Sequence, residues 1–141
     1  MDFPFLAKIV KLNTAALAAI ASAPPPPEPT VEGTVSPDTK LNWEAVPVFL
    51  ASYVVYTRRT DAAIWENQTP VSFEKNCATQ SLYRMTGKDI VLMPCHLVLP
   101  HIRVDDWVFG VSSVSADGFE SPVASAVPGG AFKPYVVPPA K

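Results

Sequence analysis

Cys77, Cys95, His96, His101, Asp105 and Asp106 are the residues whose types and spacing come closest to a reactive site. The two histidines are five apart with Pro100 between them. That separation puts them on opposite faces of a strand and out of register on a helix, so they make no ready metal pair. Asp105 and Asp106 are neighbours and would point to opposite sides of a strand, a charged strand start rather than two carboxylates that face one another across a substrate. Cys77 and Cys95 have no histidine at a spacing that marks a thiol nucleophile, and alone they cannot complete a structural zinc site. They form one bridge or stay as two separate buried thiols; the second is favoured, because pairing needs a Cα separation that spacing does not reveal. No Gly-rich phosphate loop, His-Glu-x-x-His or Gly-x-Ser-x-Gly occurs. No residue is therefore assigned as catalytic, cofactor-binding or metal-binding, no cofactor is expected, and by its own residues the chain is not an enzyme. Asn67-Gln68-Thr69 matches a glycosylation acceptor, a tripeptide that chance produces often.

Composition narrows the partners. With 48% hydrophobic and 17% charged residues, the 141-residue chain has the apolar content for one ordinary core plus an appendage. Eleven Lys and Arg against 13 Asp and Glu leave no basic patch for phosphates, which argues against nucleic acid. Sixteen prolines against six glycines point to extended linkers and edge strands.

The elements that would position any site follow from periodicity. Asp2 can cap a helix with Pro4 in its first turn, running to Ala23, where the proline run stops it. Phe5, Leu6, Ile9, Val10, Leu12, Leu17 and Ile20 cover most of its circumference, and so apolar a helix normally sits inside something larger. Lys8 and Lys11 followed by Leu12 to Ile20 and Ala21-Ser22-Ala23 also imitate a secretory leader, although Asp2 and a proline after the would-be cleavage point fit one poorly. The uncharged part after Lys11 falls short of the ~20 residues a bilayer core requires, so no membrane span is expected. Pro24 to Pro29 reads as a stiff polyproline II spacer in preference to a docking motif.

Beyond it the period becomes two. Thr30 to Val35, Thr39 to Trp43 and Ala51 to Arg58 read as strands, with Leu41 and Trp43 on one face and Tyr53, Val55 and Thr57 opposite Val54, Tyr56 and Arg58. Trp65 and Phe73 are expected to face the core, and Ser81 to Met85 and Ile90 to Met93 are candidate strands in a region longer than a minimal sandwich needs. The best-formed strand is the last: Trp107, Phe109, Val111 and Ser113 alternate with the less bulky face of Val108, Gly110, Ser112 and Val114. Ala116-Asp117-Gly118 supplies a turn, Gly118 at positive φ, and Phe119 to Val123 runs back. Pro128-Gly129-Gly130 ends the domain.

These pieces carry a resemblance. The last hairpin resembles that of a fibronectin type III-like sandwich, with Trp107 where that family usually has a corner tyrosine, and Leu41-Asn42-Trp43 with Ser52 to Tyr56 resembles the second and third strands, whose tryptophan and tyrosine meet in the core. Asp2 to Asn13, followed by an Ala-rich helix and prolines, resembles the closing helix of the catalytic domain in secreted zinc exopeptidases of the aminopeptidase and glutamate-carboxypeptidase family. In some bacterial members that helix leads into a C-terminal fibronectin-like domain with Leu-x-Trp, Tyr-x-Val-x-x-Arg-x-Thr-Asp and a nearby Trp, Asp-Asp-x-x-Phe-Gly-Val, and Asp-Gly-x-x-Ser. Leu41 to Trp43, Tyr53 to Asp61 with Trp65, Asp105 to Val111 and Asp117 to Ser121 stand here in that order. The family's zinc ligands lie upstream of the helix and map onto no residue of this chain.

The resemblance implies an all-β chain: a fibronectin type III or immunoglobulin-like sandwich over residues 30–127 behind one N-terminal helix (1–23) and a proline linker (24–29), with an extended tail (128–141). Its implied role is that of a non-catalytic accessory domain of a secreted or periplasmic zinc exopeptidase, with the parent catalytic domain as partner and self-association through an exposed helix. An independent secreted binding module with an N-terminal leader is the alternative. On the accessory-domain reading, removing everything before Thr30 is expected to leave the cooperative unfolding of the sandwich nearly unchanged while making the protein more monomeric.

Overall fold

The computed structural model describes residues 2–32, 36–45, 52–78 and 93–129. Helix α1 (Phe3–Ser22) starts where the Asp2 carboxylate accepts a 3.1 Å hydrogen bond from the Phe5 amide, one of the amides a helix start leaves without an internal partner. Pro4 sits in the first turn, where its missing N–H costs nothing. Ala23 ends the helix in extended backbone (φ −71°, ψ 143°), the region to which a following proline confines it. No residue of α1 is buried.

The rest is sheet: β1 (Thr30–Val31), β2 (Thr39–Ala45), β3 (Ser52–Arg59), β4 (Asn67–Ser72), the single-turn α2 (Phe73–Asn76), β5 (Met93–Leu99), β6 (Trp107–Val114), β7 (Ala124–Ser125) and β8 (Val127–Pro128). They form two four-stranded sheets, β5-β2-β1-β8 and β4-β3-β6-β7. Alternation aims Val31, Leu41, Trp43 and Ala45 from one sheet at Tyr53, Val55, Val71, Phe109 and Val111 from the other, and together they make one buried core. Trp43 and Tyr53 meet there as the sequence expects, edge to face with centroids 5.3 Å apart.

Both open sides of the sandwich are closed. On one, the last strand changes sheets: β7 pairs antiparallel with β6, and after one residue β8 pairs parallel with β1. On the other, α2 follows edge strand β4 and leads to Cys77, which is disulfide-bonded to Cys95 on edge strand β5. The pair favoured above as separate thiols is thus a bridge, formed because Cys77 and Cys95 lie opposite one another as a β-bridge. Asn76 and Ala78 donate to the His96 and Pro94 carbonyls, so the outer rim of β5 is not an open template for another strand.

Three further expectations change. The first strand is only Thr30–Val31, with 33–35 outside the described residues. Trp65 lies not in the core but over the outer face of the second sheet, whereas Phe73, the first residue of α2, packs against the core as expected. The proline run is not a free spacer: Pro24, Pro27 and Pro29 are buried against the sandwich. The candidate strand Ser81 to Met85, and Ile90 to Leu92 of the next, fall outside the described residues, whereas Met93 begins β5.

Tyr53 gives this core a signature. Its phenol oxygen and the Trp43 ring nitrogen are the buried side-chain polar atoms without a hydrogen-bond partner among the described residues. Burial pushes the phenol from 10.0 up to about 12. A folded-state pKa above the unfolded one means a contribution fully present below pH 10 and lost as pH rises from 10 through about 12, roughly 2–3 kcal/mol over that window. Tyr53→Phe is therefore expected to be near neutral at pH 7, since the hydroxyl it removes is unbonded, and to flatten the alkaline fall in urea midpoint. Equal losses in variant and wild type between pH 10 and 12 would show that Tyr53 ionises freely.

Candidate functional site

The residues singled out for chemistry are not brought together. His96 is exposed on the outer face of β5 opposite Asn42, whereas His101 occupies the following turn at φ 59°, its amide bonded to the Asp38 carboxylate at 2.9 Å. Asp105 and Asp106 lie in the turn before β6; Asp105 is 3.6 Å from Arg103 and the Asp106 carbonyl accepts from Thr60. Cys77 and Cys95 are consumed in their disulfide. Among the described residues, no three His, Cys, Asp or Glu side chains are grouped to hold a metal ion.

The outer face of the first sheet bears an open groove of about 520 Å³, lined by Glu28, Thr30, Lys40, Asn42, Glu44 and His96 among others. Beside it Glu32 accepts from Lys40 at 2.9 Å and from Asn42 at 3.0 Å, bonds that hold its carboxyl below the ordinary range. The groove offers mixed charge to solvent but pairs no nucleophile with a base.

The outer face of the second sheet is covered, which the alternation of β6 did not reveal. Trp65 lies over Gly110 and packs against Tyr56 with ring centroids 5.9 Å apart, and the Arg58 guanidinium stands 5.6 Å from the Trp65 ring. Arg58 also donates to the Ala62 carbonyl. Next to this lid the Tyr56 and Ser112 hydroxyls both donate to one oxygen of Glu120, each at 2.5 Å. Burial first, then the Glu120 carboxylate, raise the Tyr56 phenol. The signal available in the sequence was Gly110 itself, since a glycine inside a strand often marks a close approach. A Cβ there would lie 2.6 Å from Val123 and 2.8 Å from Trp65. Gly110→Ala is accordingly expected to displace Trp65 and cost about 1–3 kcal/mol, read by Trp fluorescence and thermal unfolding.

The third surface is α1. Phe3, Leu12, Leu17 and Ile20 are 67–70% exposed, and nothing among the described residues covers them. By length and composition alone α1 is long and apolar enough to cross a membrane, a length that counting only from Lys11 misses, but Lys8 and Lys11 interrupt it.

No family model matches the chain. It is similar to part of several larger proteins. A probable zinc metalloprotease of Pyricularia oryzae is 28% identical over 135 residues, covering 92% of this chain and 23% of that protein. Proteins of the same description from Pyrenophora tritici-repentis and Leptosphaeria maculans are 29% and 30% identical over 132 residues, with 23% and 26% of their lengths covered. A solved structure titled "Myokine structure" aligns at a TM-score of 0.45 and 14% identity, over 72% of this chain and 89% of that one. The chain thus spans about a quarter of the length of the curated relatives it matches. Only about 11 residues lie outside the Pyricularia match, so about half of α1 or more falls within it. Part of the α1 sequence therefore lies within the match along with most of the strand-forming residues.

Proposed function

We propose that this chain is the non-catalytic accessory part of a secreted zinc-dependent exopeptidase, a fibronectin type III-like sandwich joined to a helix whose apolar surface packs into the catalytic part. The observation that carries this reading is the match to one quarter of proteins described as zinc metalloproteases, in a span that takes in about half or more of an apolar helix with no buried residue. An amphipathic or apolar helix gains its stability from a partner surface, and the sandwich already fills its own core without α1. The arrangement of β1, β2 and β5 in one sheet and β4, β3, β6 and β7 in the other supports the immunoglobulin-like assignment, as does the Trp43–Tyr53 contact across the sheets. The Cys77–Cys95 bridge supports a secreted or periplasmic location, because thiols stay reduced in most cytosols. On this reading the unit boundary falls at Ala23, with the proline run on the sandwich side, and the isolated chain self-associates through α1.

The test is the N-terminus of the mature protein and the coding sequence before Met1. An open frame with His-x-Asp and Glu-Glu zinc motifs running into Asp2 supports the accessory part. A mature secreted protein that begins near Pro24, with a ribosome-binding site just before Met1, makes α1 a leader and the sandwich an independent binding module. The exposed apolar helix with Lys8 and Lys11 ahead of Leu12 to Ile20 is the observation that favours that second reading.

A further inference from the structure

The residues between α1 and the sandwich are anchored at several points along their length, with Pro25, Pro26 and Glu28 exposed between the anchors. Polyproline II repeats every three residues, so Pro24 and Pro27 share a face, and both are buried. Pro29 is buried as well, and its carbonyl accepts from the Val127 amide at 3.2 Å at the head of β8. Between them the Pro25 carbonyl accepts a 2.8 Å hydrogen bond from Ser113 Oγ. Ser113 is 1% exposed and pairs with Tyr53 in register, so this bond lies at an end of the core itself. Proline fixes φ at five of the six positions 24–29, which leaves the segment little freedom even before packing.

At the helix end the freedom is equally small. One residue, Ala23, separates α1 from the first buried proline. It is half-buried, its amide still bonds the Ile20 carbonyl at 3.3 Å, and Pro24 bars it from the helical region. A linker with a single unfixed residue is a joint of narrow range.

We infer that the proline run is a rigid strut through which the sandwich fixes the direction of α1, so that whatever covers the helix is held at a set angle to the β domain. The angle follows from the packing of the strut alone; its use in orienting a catalytic part rests on the proposed function above. The accessory domain then acts as a positioning element, and the exposed outer face of the first sheet points in a defined direction relative to its partner.

Spin labels on Lys11→Cys in α1 and Asp117→Cys in the β6–β7 turn, placed in the full chain with Cys77 and Cys95 paired and diluted into unlabelled chain, report this angle as a distance distribution. One narrow population is expected. Ala23→Gly, which touches no strut contact, and a Pro24→Gly, Pro25→Gly double variant are each expected to widen it at least two-fold. Should the strut variant fail to fold by near-UV dichroism, Ala23→Gly carries the test. A wild-type distribution already as broad as that of Ala23→Gly, or a narrow one that the variants leave unchanged, overturns the strut. Neither result depends on whether a peptidase sequence precedes Met1, so failure here and failure of the proposed function are distinguishable.

Discussion

Removing residues 1–22 leaves the unfolding midpoint of the β domain almost where the full chain has it, whereas removing 1–29 lowers its stability by roughly 3 kcal/mol. The first deletion takes away a helix with no buried residue, so no burial within the chain is lost. It also removes several exposed phenylalanine, leucine and isoleucine side chains, so the shortened chain is expected to run as a monomer and the full chain to self-associate. The second deletion strips three buried prolines from the sandwich and the acceptor from Ser113 Oγ. A buried hydroxyl left without its partner costs about 1–3 kcal/mol, and the newly exposed apolar surface adds to that. Urea unfolding of both truncations, with size-exclusion chromatography of each, gives the two readouts. An unfolded product from the 1–22 deletion would make α1 part of the folding unit, and an unchanged midpoint for the 1–29 deletion would return the proline run to the role of a spacer.

Replacing both cysteines, as Cys77→Ala with Cys95→Ala, costs about 3 kcal/mol, the loop-closure value for a bridge of this span. The two are 18 residues apart in sequence, and both are at least nine-tenths buried. The bridge matters structurally because it ties the segment after edge strand β4 to edge strand β5, across the side of the sandwich where the two sheets share no strand. Reduction of the wild type with a strong thiol reductant in mild urea is expected to reproduce the variant's midpoint. Identical midpoints for oxidised wild type and double variant would mean that the bridge contributes nothing to the fold.

Several elements were legible because their cause is local. Asp2 and Pro4 mark the start of α1 and Pro24 its end, since capping and the proline restriction act within one turn. Thr39 to Trp43 lies within β2, Ser52 to Arg58 within β3 and Trp107 to Val114 is β6, because a strand with one face on a core writes that face into every second residue. Gly118 takes the turn at φ 82°, where a residue without Cβ meets no steric cost.

What only the tertiary structure decided are the contacts between segments far apart in the chain. Pro25 meets Ser113 across 88 positions and Tyr56 meets Glu120 across 64, and no local period encodes either. The same holds for Trp65, which a count of apolar residues sends to the core but which finds its cover over Gly110, outside it. Cys77 and Cys95 pair because α2 brings the chain back beside β5, a path set by packing of the two sheets and invisible in the spacing of the cysteines. For α1 the sequence determined the helix and its apolar surface, and the fold added that no residue of α1 is buried by the described part of the sandwich, because the inner faces of the sheets already bury one another.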